Sequence, residues 1–161
     1  MKTYFKLLFI YKNKELYTLW YSNDIDGLLN ENNKIKYFNT ENNLTNYAIN
    51  KGIKIQPDKI TVYNIDDIQK IIQSKGKVID CEKVLNLWNI IADIAKTIGT
   101  SFYGDKDEIT HIYDKLFYGN NLPAICEGNE MQPPIWDEKE ISIIFKVLED
   151  SYKIFELSCK S

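Results

Sequence analysis

Residues able to do chemistry are few in this 161-residue chain, and they are scattered. His111 is the sole histidine, which excludes sites built from several imidazoles and leaves one conceivable general base. Cys81, Cys126 and Cys159 stand far apart, so sequence alone leaves open a pairing of His111 with any of them. A zinc site would lack any short ligand pair. A reactive thiol needs an electropositive, partly exposed setting, and Cys81 falls on an apolar helical stripe instead. A second candidate is the polar row Asn86, Asn89 and Asp93, on a segment that is otherwise apolar. Such a row suits a small-ligand site, and suits equally well a set of side chains satisfying backbone groups of a nearby loop.

Acidic pairs form the third group. Asp24-Ile-Asp26-Gly27 holds a fragment of a calcium loop but lacks the other ligands and the closing glutamate, so it reads as a turn. Asp105-Lys-Asp107-Glu108 reads as a charged helix start, favoured by the helix dipole, and Asp66-Asp67 as capping. Tyr103 and Trp136 fall on loops, where aromatic side chains can anchor an interface. The chain carries no glycine-rich phosphate loop, zinc-finger spacing or basic nucleic-acid helix, and no cofactor or metal is expected.

The elements that must position these residues divide at about residue 76. Before it, 4–11 and 15–22 are aromatic, β-rich runs flanking a short polar turn, the signature of a hairpin. Both faces of the first run are apolar, so at least part of this strand is expected to be covered on both sides. A third strand is expected over 34–39 and short ones over 53–55 and 60–63. Thr40 caps a helix over 41–51 that stops at Gly52, and Asn64 caps a second that ends near Gly76. After residue 76, Asp80 caps a long helix ended by Gly99, whose apolar stripe is wide enough to imply contact on two sides. A helix through Ile109, Ile112, Leu116 and Phe117 follows, closed by Gly119. An irregular loop spans 120–136, and a last helix opens on a capping box at Asp137. The expected fold is α+β: a small, mostly antiparallel sheet with two short helices (1–76) packed on three C-terminal helices (77–161), as one domain over 1–161.

Composition supports a folded globule, with 44% hydrophobic and 13% aromatic residues. Net charge is −3, and every basic residue other than His111 is lysine. Without a guanidinium fork and with an acidic balance, direct nucleic-acid binding is disfavoured and a basic protein partner is favoured. Odd, dispersed cysteines fit a reducing cytoplasm. The N-terminal apolar run is broken by Lys6 and lacks a small-residue cleavage site, so a strand is expected there, not a signal peptide.

The string Leu85-Asn-Leu-Trp-Asn-x-x-x-Asp93, then Ile112-Tyr-Asp-Lys-Leu-Phe-Tyr-Gly-Asn-Asn-Leu-Pro123 and Pro134-Ile-Trp136, resembles immunity proteins of bacterial contact-dependent growth inhibition, a polymorphic toxin system. The resemblance covers residues 80 to the C-terminus well and the β-rich half only in outline. It implies a cytoplasmic, non-enzymatic protein that binds its cognate toxin domain one-to-one. Such domains are commonly nucleases with basic substrate grooves. The free protein is expected to be a monomer. Trp88, Tyr113, Leu116 and Phe117 are expected to pack as scaffold. Toxin contacts are expected from Asp24, Asp26, Asp105, Asp107, Glu127 and Glu130, with Tyr103 and Trp136 as anchors. The alternative is a small enzyme or ligand-binding protein using the Asn86, Asn89 and Asp93 row and His111.

Overall fold

Two nine-residue strands, β1 (Thr3–Tyr11) and β2 (Lys14–Ser22), pair antiparallel through a two-residue turn at Lys12 and Asn13. Both turn residues have positive φ, 51° and 59°, the geometry that matches the right-handed twist of the flanking strands. The computed structural model describes residues 1–75, 79–120 and 134–160. Two-residue strands follow: β3 (Gly27–Leu28) extends the sheet beside β2, while β4 (Asn30–Glu31) and β5 (Lys34–Ile35) make a separate ribbon. Helix α1 (Glu41–Asn50) starts at Thr40, whose hydroxyl accepts from the Asn43 N–H. Strand β6 (Thr61–Asn64) pairs parallel with β1, giving a four-stranded sheet of order β3-β2-β1-β6. Helix α2 (Asp67–Gln73) completes the first half.

The fold is α+β as expected, with several local differences. Of the strand expected over 34–39, two residues pair with β4 and Phe38 alone bridges Tyr17. The segment 53–55 contributes one bridge, Ile55 to Tyr4. Helix α2 begins after Asp66, not Asn64, and Asp66 does not cap it. Its carboxylate instead accepts from the N–H groups of Lys12 (2.8 Å) and Asn13 (3.0 Å), clamping the hairpin turn. Asp67 pairs with Lys83 at 3.1 Å.

Helix α3 (Cys81–Ile98) is the hub, packing on two other helices and on β3 and β5. Asp80 caps its start by accepting from the Lys83 N–H, and Gly99 ends it at φ +77°, where a side chain would be strained. Two 3-10 turns, Tyr103–Asp105 and Asp107–Ile109, lead into α4 (Thr110–Asn120). Gly119, expected to close α4, lies within it. The last helix, α5 (Glu138–Ser158), opens on the expected capping box between Asp137 and Glu140.

Alternation along β1 and β2 sends side chains to two cores. Leu7, Phe9 and Tyr11 face α3 and α5 in the larger one, where Phe9, Tyr11 and Tyr37 ring Phe155 at 5.0–5.7 Å. Leu19 packs the opposite face with Leu44 of α1. The covering of both sheet faces is therefore real, supplied by α1 on one side and the helical half on the other. Among the described residues, no helix is long and apolar enough to cross a membrane.

Candidate functional site

The polar row ends up on the open side of α3, where the helix faces the β1–β6 margin of the sheet. Asn86 and Asn89 are exposed and Asp93 is half-buried, because α3 directs its apolar residues to the two packed sides and leaves this stripe to solvent. Between the row and the sheet lies a cleft of about 380 Å³. Phe5, Trp20 and Tyr63 line its sheet side, Asn86, Asn89 and Asp93 its helix side, with Asp58 and Lys59 at one end. The strand register explains the aromatic wall: Phe5 is directly opposite Trp20, and their rings sit 5.7 Å apart. A second groove shares Tyr63 and Asn86 and continues toward Asp67, Asp80 and Glu82. Asn64 also lines it. The Asn64 Oδ1 atom is buried without a hydrogen-bond partner among the described residues.

Asp93 is the electrostatic centre of this region. The Trp20 indole N–H donates to its Oδ2 at 2.9 Å, and the Lys96 ammonium stands 3.9 Å from its Oδ1. Burial pushes the Asp93 carboxyl above its ordinary range, against the pull of Trp20 and Lys96, and the charges of Asp26 and Asp105 push the same way. Its negative charge is thus under-compensated. Asn89 accepts from the Tyr113 hydroxyl at 2.7 Å, tying the row to α4.

Of the expected partner-binding residues, Asp24 and Asp26 lie on the β2–β3 turn, where the Leu28 N–H donates to Thr97 of α3 at 3.2 Å. Asp24 is exposed, and Asp26 accepts from the Ser22 hydroxyl. Asp105 and Asp107 are exposed on the 3-10 turns after α3. Asp26 and Asp105 thus come from opposite halves of the chain to act on the same carboxyl. Tyr103 is held in place: its N–H donates to Asp150 at 2.8 Å, and the Lys106 and Lys146 ammoniums each sit 5.4 Å from its ring centre. Trp136 is half-buried, with the Lys115 ammonium 4.6 Å from its ring centre and that lysine paired to Glu140 at 3.0 Å. Tyr103 therefore lies against the middle of α5, near Asp150 and Lys146, and Trp136 just before its first turn, near Glu140. Glu127 and Glu130 lie outside the described residues, as do Cys126 and most of the 120–136 loop.

His111 is exposed on α4 and is not among the residues lining the cleft. Cys81 packs against Gly119, eight residues from His111 and about 12 Å along the same helix, out of hydrogen-bonding reach. Burial raises the Cys81 thiol above its ordinary value, opposite to the shift a nucleophile needs. Trp88 and Leu116 are buried scaffold, as expected, but Phe117 is 52% exposed. Sequence reasoning missed Trp20 as the partner of Asp93, because the pair spans 73 residues. Among the described residues, no group of three histidine, cysteine, aspartate or glutamate side chains is arranged to hold a metal.

No family model matches the chain, and no curated protein matches it. Among solved structures, the C-terminal domain of SatS, determined in complex with bromine, is similar over 98% of this chain and 90% of that one, with a TM-score of 0.52 and 16% identity. That likeness is one of fold.

Proposed function

We propose that this chain is a stoichiometric inhibitor: an immunity protein that binds and neutralises the toxin domain of a contact-dependent growth inhibition effector. The observation that carries the reading is the acidic surface at the C-terminal half of α3, where the turn bearing Asp24 and Asp26 and the turn bearing Asp105 and Asp107 flank Asp93. Carboxylates presented from two rigidly docked turns can occupy a basic groove in place of nucleic-acid phosphates. The first turn is tied to α3 by the Leu28 N–H bond to the Thr97 hydroxyl and the second to α5 by the Tyr103 N–H bond to Asp150, so little conformational entropy is lost when a partner arrives. The partner is a basic protein, the stoichiometry one-to-one and the location the cytoplasm, where the toxin acts.

Titration calorimetry against the purified toxin domain of the cognate effector tests the reading. One-to-one binding that also silences the domain's toxicity is the expected result. Absence of binding at micromolar concentration would overturn it.

A further inference from the structure

We infer that the cleft between the sheet and the polar row of α3 receives a basic side chain of the bound protein, its ammonium or guanidinium group set against Asp93 and the rings of Phe5, Trp20 and Tyr63. This inference rests on the inhibitor reading and assigns that partner an anchor. Three observations converge on a cation. The first is the wall itself: aromatic rings attract a cation through their negative faces, and more strongly where water is partly excluded. The second is the state of Asp93, whose Oδ2 is occupied by the indole while its Oδ1 has only a distant lysine. A half-buried carboxylate so poorly neutralised gains by acquiring a donor.

The third is the arrangement of acceptors. Asn64 Oδ1, in the adjoining groove, is buried without a donor among the described residues. Ammonium and guanidinium groups are donors only, so they suit a region where an acceptor is left unfilled. The titratable groups around Asp93 are Asp26 and Asp105 from the flanking turns, Lys96 from α3, Tyr63 from β6, and Asp58 and Lys59 at the cleft end. The carboxylates outnumber the lysines, and the cleft opens into that acidic field. Its volume of about 380 Å³ accommodates one long side chain.

The test follows the Trp20 indole N–H resonance by NMR, identified by its loss in Trp20→Phe. Nα-acetyl-arginine amide is titrated against its neutral isostere, Nα-acetyl-citrulline amide, at constant ionic strength. The arginine compound should shift the resonance saturably and the citrulline compound should not. In Asp93→Asn, which keeps an acceptor for the indole, affinity should fall at least tenfold. In the wild-type protein, saturating arginine compound should lower the pH midpoint of the same resonance, a readout that needs no variant. Equal shifts with both compounds, no saturation up to tens of millimolar, or an unmoved pH midpoint would each overturn the assignment. Calorimetry of Asp93→Asn with the toxin domain separates the two levels. Wild-type affinity there removes the anchor and leaves the inhibitor standing. Failure of the wild-type protein to bind the domain removes the inhibitor, while the arginine titration still decides what the cleft binds.

Discussion

Asp66 contributes more through one carboxylate than its position at a helix start suggests. It holds two N–H groups of a turn in which neither residue is glycine and both have positive φ. Left-handed backbone disfavours an L side chain by about 1–2 kcal/mol, and two charge-assisted bonds offset that cost. Asp66→Ala should lower stability by about 1–2 kcal/mol in urea unfolding. An unchanged midpoint would show that the turn holds without the clamp. Asp93 yields a prediction of opposite sign. Its folded-state pKa is raised, so the folded protein binds this proton more tightly than the unfolded chain does. Its contribution is fully present below the unfolded carboxylate value and is lost as pH rises through the folded one. Asp93→Asn should therefore gain stability relative to wild type as pH is raised from 3 to 7. Urea midpoints of the two proteins across that range decide the matter, and a variant-minus-wild-type difference that falls as pH rises contradicts it. The polar row containing Asp93 was visible in the sequence as a break in an apolar stripe. Its partner was not, because the Trp20–Asp93 bond depends on how the sheet docks.

Elements were legible where their signals are local. The Asp80 cap, the Gly99 stop and the Asp137–Glu140 box each fix a helix end within a few residues, and α3 and α5 begin where those residues require. Asp137→Ala removes the half of the box in which the Asp137 carboxylate accepts from the Glu140 N–H, keeps the backbone donor of the other half, and should cost about 1 kcal/mol, read as a lower urea midpoint. No change would mean that the first turn of α5 is held by Lys115 and Glu140 alone. Strands were less legible. Thr61–Asn64 was recognisable as β-rich, but its parallel pairing with β1 depends on residues more than fifty positions away. The 34–39 run has strand composition yet supplies only Lys34 and Ile35 to the β4 ribbon. Further along, Tyr37 turns into the large core beside Phe155 and Phe38 returns to β2. Tertiary burial of one aromatic residue outweighed local β propensity there.

At the scale of the whole molecule the relevant property is charge. Net −3 with no arginine leaves the protein modestly acidic overall, while the Asp24, Asp26, Asp105 and Asp107 turns gather carboxylates around α3. A patch of one sign steers an oppositely charged partner during approach, and its effect appears in the association rate and its salt dependence. Replacing all four aspartates with asparagine makes the net charge positive without altering side-chain volume much. Association with the proposed toxin partner should slow by about tenfold or more at low salt, and the rate should become less salt-dependent. Dissociation should change less, because its barrier is set by buried anchors such as the proposed Asp93 contact. Stability should hold within about 1 kcal/mol, since these groups are mostly exposed. Stopped-flow association at several ionic strengths measures both rate and slope. An association rate equal to wild type at low salt would place the docking surface elsewhere on the molecule.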